Sequence, residues 1–242
     1  MTRPVGMRRT IFVVPVELAP IIQASTTDPI AAVQRRRYTQ IITDAGVGDG
    51  PWLKEVEEET VRALAARGEA TGAELSAGVP RLRTQVLMAE GKPYEAKTNI
   101  TTWVLFLLAA EGRIVRGRPR GSWISSQYRW SPVEVWLPGG MAEVAAEEAR
   151  AELVRRWLAA YGPGTAADIK WWTGWTAGQV KQALTAIAPA EVDLGGITGL
   201  LLPGDAEPPA VPEPAVSLLP ALDPAPMGWQ ERSWYLGEHG PT

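Results

Sequence analysis

Five arginines fall between residues 113 and 129 of this 242-residue chain: Arg113, Arg116, Arg118, Arg120 and Arg129. They lie on two alternating stretches, Ile114–Arg118 and Ser122–Trp130, around the turn Pro119-Arg120-Gly121, and no acid interrupts them. A guanidinium is always charged, and its planar fork matches the oxygens of a phosphate. Set alternately along a twisted ribbon, such groups can neutralise a polyanion, each cation releasing about one condensed counterion. Charge on a hairpin edge also prevents aggregation, but lysine interspersed with acids is the usual choice for that duty, so the pattern favours anion contact. Arg81, Arg83 and Lys97 extend the basic character over 80–97. A second set, Gln179, Lys181, Gln182 and Thr185 with Lys170 just before it, stands opposite an apolar stripe of Val180, Ala183, Leu184 and Ile187. Glutamine can pair with adenine edges and lysine with guanine or phosphate. The partner expected from both sets is double-stranded DNA. Arginines on a hairpin are expected to meet phosphates and not bases. Replacing Arg116, Arg118 and Arg120 together should lower the slope of log K against log salt by about 2.7.

Other chemistry finds little support. There is no cysteine, and the single histidine, His239, stands three residues from the end. Thiol catalysis, thiolate or histidine metal clusters and a Ser-His-Asp triad are therefore not expected. The carboxylate runs Glu57-Glu58-Glu59 and Glu147-Glu148 read as solvated helix faces. The Arg35-Arg36-Arg37 run reads the same way, and Trp171, Trp172 and Trp175 read as core. No Gly-rich phosphate loop or nucleophile elbow occurs. We expect no catalytic residue, metal or cofactor.

The opening MRRTIFVVPVELAPIIQAS superficially resembles a signal peptide, but Glu17 interrupts its apolar run and Pro15 and Pro20 break a helix through it. No apolar stretch approaches the ~20 residues of a membrane span, so no membrane partner and a cytoplasmic location are expected. The net charge of −3 is unevenly distributed. Residues 188–242 hold eight acids and one base, leaving 23 bases against 19 acids in the rest. A basic body with an acidic tail can present one face to a polyanion.

The elements that must position these residues are signalled by a repeat. LAARGEATGAELS (64–76) and LAAYGPGTAADIK (158–170) align without a gap at an offset of 94. Each reads as a helix end, a glycine stop, a threonine cap with an acid three residues on, and a new helix. Two tandem helix-turn-helix units follow from this. A strand is expected over Thr10–Val14, then helices over Asp28–Ala45, Trp52–Arg67, Thr71–Ala77 and Thr98–Glu111. The basic segment after Pro80 reads as irregular, and the arginine hairpin closes the first unit. Helices over Glu143–Tyr161, Ala166–Trp172 and Ala177–Ile187 form the second unit, with a second hairpin, Glu191–Leu194 and Gly199–Leu202. A Pro-rich acidic linker, a strand over Val216–Leu222 and an aromatic segment over Met227–Leu236 follow. Helix, helix, helix, hairpin is the winged-helix order. The expected class is α+β, mainly helical, with tandem winged-helix units and an incomplete C-terminal β segment. Its parts are a remnant at 1–50, winged helices at 51–138 and 139–203, and a tail at 204–242.

The segments MRRTIFVVP, ELSAGVPRLRTQ, FLLAAEGRIVRGRPRGSW, YGPGTAADIKWWTGW and LLPALDP resemble, from about Met7 to Gly237, a bacterial winged-helix DNA-binding family that includes the AlkZ and YcaQ DNA glycosylases. The resemblance implies tandem winged helices that wrap duplex DNA, followed by a small β-barrel, and an activity that excises alkylated or crosslinked purines. It also implies a catalytic Gln-apolar-Gln or Gln-apolar-Asp pair in a winged helix preceding MRRTIFVVP. None of the eight glutamines here (Gln23, Gln34, Gln40, Gln85, Gln127, Gln179, Gln182, Gln230) has Gln or Asp two positions on. The chain therefore reads as truncated at both ends relative to the family, and as a DNA-binding protein without catalysis in this form. The alternatives are a glycosylase completed by a missing N-terminal segment and a transcription regulator.

Overall fold

The computed structural model describes residues 6–7, 10–88, 91–93, 95–122, 124–125, 127–207, 210–211, 213–219 and 223–237. The fold is α+β, and the chain divides into two compact units, Met1–Glu143 and Val144–Thr242.

The first unit opens without the expected strand. Within Thr10–Val14 only Ile11 and Val14 make isolated bridges, and Ile11 and Val13 stay exposed. A 3-10 turn (Val16–Leu18), helix α1 (Ala19–Ile22), a π-helical stretch (Gln23–Thr27) and helix α2 (Asp28–Asp44) then run on continuously. All five residues of the π stretch are buried, so their polar groups need internal partners. Gln23 Nε2 donates to the Ala110 carbonyl at 2.7 Å, and the Thr26 hydroxyl donates to the Ile22 carbonyl at 2.8 Å.

Helix α3 (Gly50–Arg67) is started by Asp49, whose carboxylate accepts from the Trp52 N–H at 2.9 Å, and stopped by Gly68 at φ +74. Leu53, Val56, Thr60 and Leu64 are its fully buried stripe. A two-residue strand β1 (Ala70–Thr71) leads into helix α4 (Gly72–Gly78), which the Thr71–Glu74 capping box begins. A 3-10 turn (Pro80–Arg83) follows. Where an irregular segment was expected, an antiparallel hairpin forms: β2 (Gln85–Met88) paired with β3 (Ala96–Asn99), Gln85 opposite Asn99. Helix α5 (Thr101–Ala110) carries no charge and buries Trp103, Val104, Leu105, Leu107, Leu108 and Ala110. Strands β4 (Ile114–Pro119) and β5 (Tyr128–Pro132) close the unit, with β1 joining the free side of β5. The return strand thus starts six residues after the expected Ser122, because Ser122, Ser125 and Gln127 are engaged in turn hydrogen bonds. At least 1.5 kcal/mol of apolar transfer per core Leu or Ile of α5 and its neighbours holds this unit.

The second unit repeats the order. Helix α6 (Ala146–Tyr161) buries Leu153, Val154, Trp157 and Leu158. Gly164 bridges to Leu200 as β1 bridges to β5. Thr165 and Asp168 cap helix α7 (Ala166–Thr173), Gly174 turns the chain at φ +75, and Thr176 with Gln179 caps helix α8 (Ala177–Ile187). Strands β6 (Ala190–Asp193) and β7 (Thr198–Leu201) form a hairpin around Gly195-Gly196. Both glycines have positive φ, as a two-residue hairpin turn requires. Residues 216–219 form no strand, and 220–222 lie outside the described residues. The aromatic segment, with helix α9 (Ser233–Leu236), docks on its own unit: Trp229 Nε1 donates to the Tyr161 carbonyl at 3.0 Å, and the Asp168 carboxylate accepts the Gln230 N–H at 2.8 Å. The tail histidine, His239, lies outside the described residues.

Candidate nucleic-acid interface

The hairpin β4–β5 brings Arg118, Arg120 and Arg129 to one concavity, and acids from other elements meet three of the five arginines. Arg113 bonds Glu58 of α3 at 2.8 Å. Arg120 faces Glu74 of α4 at 3.7 Å, and Arg129 pairs with Glu69, which precedes β1. Arg116 lies over the Tyr128 ring at 3.3 Å from its centroid, with its Nε buried and without a hydrogen-bond partner. Only Arg118 is exposed with no partner among the described residues. The expectation of an acid-free arginine surface is therefore corrected. Local sequence contains no acid, but β1 beside β5 delivers Glu69, and the capping box delivers Glu74. The visible signal was Glu74 itself, fixed three residues after Thr71. Hydrogen bonds from the Thr71 backbone and hydroxyl hold the Glu74 carboxyl below the usual carboxylate range, and Arg113 does the same for Glu58.

Two concavities border the hairpin. One, of about 510 Å³, is lined by Arg118, Arg120, Arg129, Ser131 and Trp136, among others. The other, of about 160 Å³, is lined by Glu69, Thr71, Glu74, Arg120 and Arg129.

The remaining basic residues of the first unit divide similarly. Arg81 bonds Glu55 at 3.0 Å and Glu59 at 2.8 Å and lies over Trp52 at 5.2 Å. Arg83 Nε donates to the Ser76 carbonyl at 2.8 Å. Lys97 on β3 is exposed with no partner among the described residues. Arg81 and Arg83 thus brace the turn after α4 and are already engaged.

In the second unit the capping box uses one of the predicted readers. Gln179 Oε1 accepts from the Thr176 N–H at 2.9 Å, so its side chain closes the helix start. Lys181 and Lys170 are exposed and unpartnered among the described residues. Gln182 is exposed, and its Oε1 accepts from the buried Arg150 at 3.5 Å. Lys170 and Lys181 flank a shallow groove of about 390 Å³ floored by Ala166, Ala167, Ala177 and Leu184. No acid lines it. Trp172 and Trp175 are buried, as expected for core. Trp171 is half-buried beneath the Arg232 guanidinium at 5.2 Å.

Of the charged runs expected on solvent, Arg36, Arg37, Glu58, Glu147 and Glu148 are exposed, while Arg35 and Glu57 are not. Glu57 is 1 % exposed, and Arg35 reaches it from α2 at 2.9 Å while also bonding Glu111 at 2.7 Å. Burial pushes the Glu57 carboxyl up, against the pull of Arg35. Burial would lower the Arg35 guanidinium, but its hydrogen bonds to Glu111 and Glu57 and their charges carry it above its usual value. The partners come from three separate helices or helix ends, and no local pattern announces such a contact. The cluster ties α2 to α3 and to the end of α5, and it offers no open site.

Among the described residues no group of three or more His, Cys, Asp or Glu side chains is placed to hold a metal ion. No helix among them is long and apolar enough to cross a membrane.

A family model described as DNA glycosylase AlkZ-like matches residues 2–241, nearly the whole chain. The chain belongs to the AlkZ-like DNA glycosylase family. The solved structure of the Streptomyces sahachiroi DNA glycosylase AlkZ resembles it with a TM-score of 0.56 at 18 % identity, over 83 % of this chain. The likeness extends the family assignment to the fold, and the chain spans about half, 52 %, of that AlkZ chain. No curated protein matches the sequence.

Proposed function

We propose that this chain binds double-stranded DNA through two tandem winged-helix units, mainly by phosphate contacts, and that it performs no catalysis by itself. The winged-helix reading rests on the order helix, short β segment, helix, helix, hairpin, which occurs twice once the inserted hairpin β2–β3 of the first unit is set aside, with the β segment joined to the closing hairpin each time. The observation that carries the functional reading is where three of the unpartnered cations stand. Arg118 is on the first hairpin, the wing, while Lys170 and Lys181 are on the second helix pair. A wing reaches the DNA backbone and a third helix enters the major groove. Contacts of this kind give affinity that depends steeply on salt and little on sequence. We further propose the division into a remnant at 1–50, winged helices at 51–138 and 139–203 and a tail at 204–242.

Base excision is the second reading. Family membership favours it, since AlkZ is a DNA glycosylase and this chain matches about half of it. In this reading the residues present would hold the duplex, and a Gln-apolar-Gln or Gln-apolar-Asp pair would come from elsewhere in a longer protein.

Fluorescence anisotropy with two unrelated duplexes, together with base release from an alkylated duplex, tests both readings. Similar, salt-sensitive binding to the two duplexes without base release is the expected result. Base release by this chain alone would replace the first reading with the second, and absence of duplex binding at low salt would remove both.

A further inference from the structure

Three of the five hairpin arginines already hold a carboxylate, and two of those three line the larger concavity together with the free one. Arg120 and Arg129 border both the larger concavity, with Arg118, and the smaller one, with Glu69 and Glu74. Glu69 and Arg129 are each about half exposed, at 52 % and 46 % of the side chain. Neither is locked into the core, so water and ions reach the pair. An exposed pair of this kind contributes little to stability. A carboxylate at that position also mimics a phosphate oxygen, since both are anionic acceptors that take a guanidinium fork.

Building on the DNA-binding reading of the hairpin, we propose that the concavity beside β4–β5 is a site for one phosphodiester group. Arg118, Arg120 and Arg129 would bind it, and Glu69 would occupy the Arg129 guanidinium until the phosphate displaces it. Glu74 faces Arg120 from the other side, but its second oxygen is committed to the Thr71 cap at 2.7 Å, so it stays where it is. Glu69 has Arg129 as its single ion-pair partner among the described residues and no capping duty. It is therefore the group whose removal changes the site without changing the fold. Its sign of action is the unusual part: an acid beside the DNA path lowers affinity by competing for the arginine and by repelling the incoming phosphate. The cost of separating an exposed pair, at most about 1 kcal/mol, corresponds to at most about a fivefold change in Kd.

The test compares Glu69→Gln, Glu148→Gln and Arg118→Ala with the unaltered chain, by anisotropy on one duplex across a salt series. Glu148 is an exposed acid of the second unit, so Glu148→Gln makes the same change in net charge away from the hairpin. Glu69→Gln should bind about twofold to fivefold more tightly, and Glu148→Gln should match the unaltered chain. If Glu69→Gln equals Glu148→Gln, or binds more weakly, the displaced-carboxylate site is overturned while a loss in Arg118→Ala still supports the hairpin as a DNA contact. If Arg118→Ala binds as the unaltered chain does, the hairpin reading fails and this site with it.

Discussion

Helices α5 and α8 each follow a long helix and a capping-box helix and precede a hairpin, yet they are built for opposite ends. Helix α5, TTWVLFLLAA, has no charged side chain and buries apolar residues nearly all round. It cannot enter a DNA groove without exposing the core of its unit. Helix α8, AGQVKQALTAI, buries only Val180, Ala183 and Ile187 and turns Lys181, Gln182 and Thr185 to solvent. The hairpins reverse the contrast. Hairpin β4–β5 carries the arginines, whereas the strands of β6–β7 carry Glu191 and Asp193 and no base. A unit that has lost its exposed third helix keeps a cationic hairpin, and a unit with an acidic hairpin keeps a cationic helix. On the proposed DNA-binding reading the two units would make contact in two different ways, and each should be disabled by a different substitution.

The contrast breaks most severely at the anchor of the first unit. In Arg35→Met the Glu57 carboxylate is left buried without its cation, and a stability loss of about 3–5 kcal/mol is expected in urea unfolding near neutral pH. Burial already raises Glu57 in the folded chain above its unfolded value. Its contribution therefore favours the fold at low pH and is lost as pH rises from the ordinary carboxylate range through the raised value. The deficit of Arg35→Met should accordingly shrink as pH falls towards that range; a deficit that grows on acidification would mean that Glu57 is not the group left unpaired.

Next in size is the difference between the third helices themselves. Leu107→Ala in α5 should cost about 2–5 kcal/mol of stability, while Lys181→Ala in α8 should stay within about 0.5 kcal/mol. Comparable losses from the two would erase the distinction between a structural and a presenting helix. A smaller effect tests what the units share. Thr71→Ala and Thr165→Ala each remove a capping box and should each cost about 1 kcal/mol, the two values agreeing within a few tenths. A large inequality between them would show that the repeat in sequence is not a repeat in energetics.

Much of this arrangement was legible in the sequence where a local rule governs it. The capping residues Thr71, Thr165 and Thr176 place the starts of α4, α7 and α8, and the spacing of Val180, Ala183 and Ile187 gives the buried face of α8. Hairpin β2–β3 was not legible, because four-residue strands of mixed polarity give no period to read. The partners of the arginines were not legible either. Which acid meets Arg129 depends on β1 joining β5, and which cation meets Glu57 depends on α2 crossing α3. Residue types nominated the arginine surface, but only tertiary pairing separates Arg118 from its four neighbours. The slope change of about 2.7 expected for Arg116, Arg118 and Arg120 assumes three free cations, and Arg116 is stacked on Tyr128 while Arg120 faces Glu74.

The central claim is that the duplex is held by the hairpin of one unit and the helices of the other, and the salt dependence of binding tests it most directly. Duplex affinity is measured by anisotropy from low to moderate salt for the unaltered chain, for Arg118→Ala, and for Lys170→Ala with Lys181→Ala. Each lost phosphate contact should lower the slope of log K against log salt by about 0.9, so the single variant should fall by about that amount and the double variant by about 1.8. Slopes that stay unchanged in both, with folding intact by circular dichroism, would contradict the account.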